Sequence, residues 1–163
     1  MAANTIAGSF GDISVWIDQD QGLLIERDGE ELSLIPPSHF QVRSAEATYE
    51  TQFGSFKIEE TPETDWVAGS KMTELYGFDD RLQFAVATID DELIIRGEVL
   101  LYDDGHIGLE MVADNNRIKL GLSCNESDHI VGLGSHAMDV DHVGKDVFLF
   151  VSEPGIGKSS NNN

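Results

Sequence analysis

The feature that most constrains this chain is the near absence of helical periodicity. In its place, short runs of β-branched and aromatic residues recur with turn-forming residues between them. Strands this short cannot bury an apolar face alone, so they must stack or close on one another. The pattern predicts an all-β fold, an antiparallel β-sandwich in a single domain, with residues 1–157 as the sandwich and 158–163 as a polar tail or the start of a linker.

Several strands follow from local alternation. Ile13, Val15 and Ile17 share one face of a strand, Asp18 to Gly22 turns the chain, and Leu23-Leu24-Ile25 leads to Asp28-Gly29. That dipeptide favours the positive φ values of a tight hairpin, with Leu32, Leu34 and Ile35 on the return strand. Phe40 to Tyr49, Thr51 to Ile58 and Trp66 to Leu75 follow as strands, with a break marked by Pro62. Leu82 to Ile89, Leu93 to Tyr102 and Ile107 to Val112 come next, the last two joined across Asp103-Asp104-Gly105. After Asn115-Asn116, Arg117 to Leu122 alternates, with Ile118, Leu120 and Leu122 expected inward. Val147 to Val151 is apolar on both faces and is expected between two packed layers.

Charge narrows the partners. The 163 residues hold 30 Asp and Glu against 10 Lys and Arg, a net charge of −20. Such a surface repels a phosphate backbone and an anionic membrane, so neither nucleic acid nor membrane is expected as a partner. It also keeps a protein soluble, in concentrated salt as in ordinary buffer. Met1 to Ser9 lacks the basic and apolar regions of a signal peptide, and nowhere do eighteen apolar residues run together, so neither secretion nor membrane insertion is expected and the location is cytoplasmic or left unassigned. The single cysteine, Cys124, has no partner for a disulfide and reads as a small buried hydrophobe.

The C-terminal segment carries the most specific pattern. Its stations are Gly132-Leu133-Gly134, Asp141-His142-Val143-Gly144-Lys145, the apolar run Val147 to Val151, and Glu153-Pro154-Gly155-Ile156-Gly157-Lys158. In order and spacing these resemble the end of the N-terminal, galactose-mutarotase-like β-sandwich of glycoside hydrolase family 31. The loop at 153–158 is most similar to the bacterial branch that includes sulfoquinovosidases. Gln52 to Phe56 and the Asp28-Gly29 hairpin are looser similarities. Ser135 departs from the Glu that commonly follows Gly-Leu-Gly in the family, and His136-Ala137-Met138 replaces its usual continuation.

The resemblance implies a non-catalytic accessory domain whose partner is the β/α barrel of the same parent chain. Family members carry their nucleophile and acid/base as Asp residues on that barrel, so no catalytic residue is assigned here. Retaining hydrolysis needs two carboxyl groups about 5 Å apart across the scissile bond. Glu153, Gly155, Ile156 and Gly157 are expected to line the substrate pocket of the complete enzyme. Gly132, Gly134 and Gly144 are read as structural turns, where a missing side chain permits a sharp corner. An exposed docking surface would favour self-association.

Other readings compete with this one. His136, Asp139, Asp141 and His142 are metal-capable, but adjacent strand residues point to opposite faces and a zinc site needs three or four converging ligands. No metal or other cofactor is expected. Asp90-Asp91-Glu92 and Asp103-Asp104-Gly105 lack the ligand spacing of a calcium loop and read as solvated turns. Gly155 to Lys158 lacks the spacing and following helix of a phosphate loop. Trp16, Tyr49, Trp66 and Tyr76 could stack on sugar rings if exposed, so a stand-alone carbohydrate-binding or protein-interaction module is the alternative.

Overall fold

A computed structural model describes residues 4–52, 55–102 and 105–122. Among these residues the chain is strand throughout, apart from turns and a short 3-10 segment at Pro37–His39. Strands β1 (Thr5–Phe10), β2 (Ile13–Asp18), β3 (Gly22–Arg27) and β4 (Glu30–Ile35) form an antiparallel meander. After the 3-10 turn come β5 (Phe40–Arg43), β6 (Ala45–Gln52), β7 (Ser55–Pro62) and β8 (Val67–Ala68). A second antiparallel meander consists of β9 (Lys71–Gly77), β10 (Arg81–Ala87), β11 (Leu93–Leu101) and β12 (Ile107–Val112), and β13 (Arg117–Leu120) then pairs with β5. The chain divides into two compact units, Met1–Tyr49 with Ile58–Ser123 and Glu50–Lys57 with Cys124–Asn163. Both meanders and the core belong to the first.

The core follows from period-two alternation on facing sheets. In β2, Ile13, Val15 and Ile17 are buried while Trp16 between them is exposed. Register carries this face across the sheet, because Ile17 lies opposite Leu23, and Leu23 opposite Ile35. From the second meander, Leu82, Phe84 and Val86 of β10 and Ile95, Val99 and Leu101 of β11 join the same cluster. Strand β1 packs against β9, β10 and β11, and Phe40 and Val42 of β5 add to the filling. Two antiparallel sheets thus share one apolar interior, which is the sandwich that the strand pattern calls for. Burying a side chain such as Ile17 or Leu82 fully contributes about 1.5–3 kcal/mol.

One irregularity shapes the second meander. Tyr76 lies opposite Gln83 and Thr73 opposite Ala85, so Glu74 and Leu75 together face Phe84. Glu74 takes φ +50°, which makes the extra residue a β-bulge. The bulge re-phases the strand: Met72 and Leu75, three positions apart, are both buried. A regular strand would set them on opposite faces.

The two hairpins anticipated from turn chemistry form as expected. Asp28 and Gly29 both have positive φ, 53° and 79°, and close β3 onto β4 with Arg27 opposite Glu30. Gly105, at φ +82°, donates its N–H to the Tyr102 carbonyl where β11 returns as β12. Asp90-Asp91-Glu92 forms the turn between β10 and β11, tied by N–H groups of Asp91 and Glu92 to Thr88.

Other expectations need correction. The run Phe40 to Tyr49 is two strands, because Ser44 leaves the ladder to bond Thr64 and Glu63. Trp66 to Leu75 likewise divides at Gly69-Ser70 into β8 and β9. Strand β1 was not foreseen. Ile118 and Leu122, expected inward, are 37% and 60% exposed. Leu120 between them is partly buried against the core, whereas β13 is only four residues long and Leu122 lies past its end. The C-terminal boundary of the expected 1–157 domain, the strand Val147 to Val151 and Cys124 lie outside the described residues.

Candidate functional site

The outward face of the second meander holds a groove of about 350 Å³. Its principal row runs straight across four strands in register. Tyr76 of β9 lies opposite Gln83 of β10, Gln83 opposite Glu98 of β11, and Glu98 opposite Glu110 of β12. Adjacent strands lie about 4.8 Å apart, so the row is roughly 14 Å long. Beside it, Arg96 lies opposite Val112, and Glu74 comes alongside through the bulge.

These side chains are partly organised in advance. Gln83 Nε2 donates to Glu98 Oε1 at 2.6 Å, which turns the amide and carboxylate toward each other and fixes both. Arg96 Nε lies 3.7 Å from Glu74 Oε2, a loose ion pair in which both side chains remain well solvated. Tyr76 is 58% exposed and Val112 72%, so an aromatic and an aliphatic surface flank the polar row. Glu98 and Glu110 project side by side from neighbouring strands of one sheet face. They therefore approach a ligand from the same side, whereas a retaining glycosidase pair flanks the scissile bond.

A second polar cluster lies on β5 and β13. Arg43 and Arg117 are cross-strand partners, and both bond the carboxylate of Glu60. The hydrogen bond from Arg117, aided by Arg43, holds the Glu60 carboxyl below the usual carboxylate range. The Arg43 guanidinium lies 4.6 Å from the Trp66 ring centroid and Lys119 Nζ 5.6 Å from it. Trp66 is thereby engaged by its own chain.

Of the aromatics singled out from sequence, Tyr76 lines the groove, and Trp16 is 42% exposed on β2 with its Nε1 donating to Glu26 at 2.9 Å. Tyr49 lies within β6. Gly132, Gly134, Gly144, Glu153, Gly155, Ile156 and Gly157 lie outside the described residues, as do His136, Asp139, Asp141 and His142. Among the described residues no three His, Cys, Asp or Glu side chains are grouped as metal ligands, and no helix is long and apolar enough to cross a membrane.

Sequence reasoning passed over Glu74, Gln83, Arg96, Glu98 and Glu110. A usable signal was there, since Arg96 and Glu98 are polar residues two apart in an otherwise apolar run, which puts them on one solvent-facing side. No protein-family model matches the chain, and no curated protein or solved structure matches it.

Proposed function

We propose that this chain is a non-catalytic accessory β-sandwich of a family 31 retaining α-glycosidase. In this reading it packs on the β/α barrel of its parent chain and helps shape the substrate pocket. The observation that carries it is the ordered set of stations from Gly132 to Lys158. The antiparallel, nearly all-strand architecture of the described residues is compatible with a galactose-mutarotase-like domain. Glu153, Gly155, Ile156 and Gly157 would face the pocket, and Gly132, Gly134 and Gly144 would form the corners.

The test is the reading frame of the source gene beyond the codon for Asn163. Continuation into a β/α barrel with two strand-end Asp residues, and α-glycosidase activity of the complete product, is the expected result. A stop codon at that point removes the reading. Concentration-dependent dimerisation in gel filtration is expected if a docking surface is left uncovered, and a strict monomer counts against one.

The groove favours a second reading, a carbohydrate-binding module that functions without a barrel. Its support is an exposed aromatic, Tyr76, at the end of a row of carboxylate and amide side chains. Sugar-binding grooves need such a combination of a flat apolar surface with directional hydrogen-bonding groups.

A further inference from the structure

We propose that the groove across β9–β12 is a binding site for a neutral saccharide, with Tyr76 as its stacking surface and Gln83, Glu98 and Glu110 as its hydroxyl-binding row. The inference rests on the carbohydrate-binding reading and is independent of a catalytic parent.

Three properties of the groove select this ligand class. The first is shape, because a row that crosses four strands in register, ending at an exposed ring, suits an elongated ligand with a flat apolar side. The apolar face of a sugar ring offers C–H groups to the negative face of an aromatic ring. The second is the balance of donors and acceptors. Ionised carboxylates only accept hydrogen bonds, and the Gln83 amide already donates to Glu98. The row therefore presents an excess of acceptors, and a ligand rich in hydroxyl donors answers it.

The third is charge. Glu74, Glu98 and Glu110 outnumber Arg96 in the groove, within a chain of net charge −20. A sugar bearing carboxylate, sulfate or phosphate would be repelled. A bare metal ion is a poor alternative, because these carboxylates are not grouped as ligands of one ion. An uncharged polyhydroxyl ligand satisfies the acceptors without needing to be surrounded.

The experiment is titration calorimetry of the full chain with maltose as the neutral sugar, and with glucuronate as a carboxylate-bearing sugar. Maltose is expected to bind with a dissociation constant in the millimolar range, and glucuronate at least about tenfold more weakly. Tyr76→Ala and Glu98→Ala should each weaken maltose about tenfold or more, while Tyr102→Ala, which removes an exposed ring outside the groove, should leave it unchanged. Circular dichroism of each variant, compared with the parent chain, identifies any loss of fold, and Tyr76→Phe should then restore binding through its ring. Saccharide binding that survives both groove variants would overturn the groove assignment and leave the carbohydrate-binding reading standing. No binding of either saccharide by the folded chain would overturn both, and tighter binding of glucuronate would overturn the assignment to neutral ligands.

Discussion

Phe40 meets Phe84 edge-on, with ring centroids 5.8 Å apart and planes inclined at 68°. The pair joins β5 to the second meander, and the Phe84 ring lies over Gly97, its partner on β11. A Cβ at Gly97 would come within 2.4 Å of Phe84 Cζ. Phe84→Ala should therefore cost about 3–5 kcal/mol, the usual range for a buried ring. Gly97→Ala should cost about 1–3 kcal/mol by forcing the ring aside. If the contact is the cause, Gly97→Ala should be less costly in a Phe84→Leu background than in the parent, and urea unfolding of the four proteins measures the coupling.

The β3–β4 hairpin depends on two successive positive φ values, at Asp28 and Gly29. Gly29 has open space around its Cβ position, so a side chain there would meet no neighbour and would report backbone strain alone. Gly29→Ala is expected to cost about 1 kcal/mol and to lower the melting temperature by roughly 2–4 °C. Asp28→Asn, which tolerates the same conformation, should be near neutral. An unchanged melting temperature for Gly29→Ala would show that this turn relaxes to another type.

Two carboxylates link stability to pH. The Thr5 hydroxyl at 2.6 Å, followed by the N–H groups of Gln21 and Asp20, holds the Asp18 carboxyl below its usual value, and Glu60 is lowered by Arg117 and Arg43. A lowered folded pKa means that the unfolded chain binds protons first as the solution is acidified. The stabilisation is thus present above the unfolded carboxylate value of about 4 and is lost as pH falls through the lower folded values. The urea midpoint should drop between about pH 5 and pH 2, and less steeply in Asp18→Asn and Glu60→Gln. Equal slopes in all three proteins would remove these two groups as the source.

With a net charge of −20, like-charge repulsion opposes the compact state. Raising monovalent salt from about 0.01 to 0.15 M shortens the screening length from roughly 30 to 8 Å. The urea midpoint is expected to rise over that interval. A flat or falling midpoint would mean that attractive pairs such as Arg27 with Asp12 outweigh the repulsion.

What was legible in the sequence was what local chemistry alone decides. Asp28-Gly29 and Gly105 mark their hairpins because their backbone conformations exclude most residues, and Ile13, Val15 and Ile17 declare the buried face of β2 by alternation. Strand β1 escaped notice because Gly8 and polar residues dilute Ile6 and Phe10, and its strand state comes from pairing with β2. The division at Ser44 depends on Thr64, twenty residues away. The groove was hidden for the same reason: its row draws one residue from each of four strands, and register across strands is written in no single segment.

The bulge at Glu74 has a consequence beyond the placing of side chains. Among the described residues strand β9 is the outer strand of its sheet, and an outer strand can recruit a strand from another molecule along its backbone groups. Met72 N–H is occupied by the Gln19 carbonyl, and two residues on, the bulge breaks the regular spacing that an incoming strand would have to match. The same residue that brings a carboxylate to the groove also interrupts this edge against growth into intermolecular sheet. Deleting Glu74 would restore an even ladder there and favour aggregation.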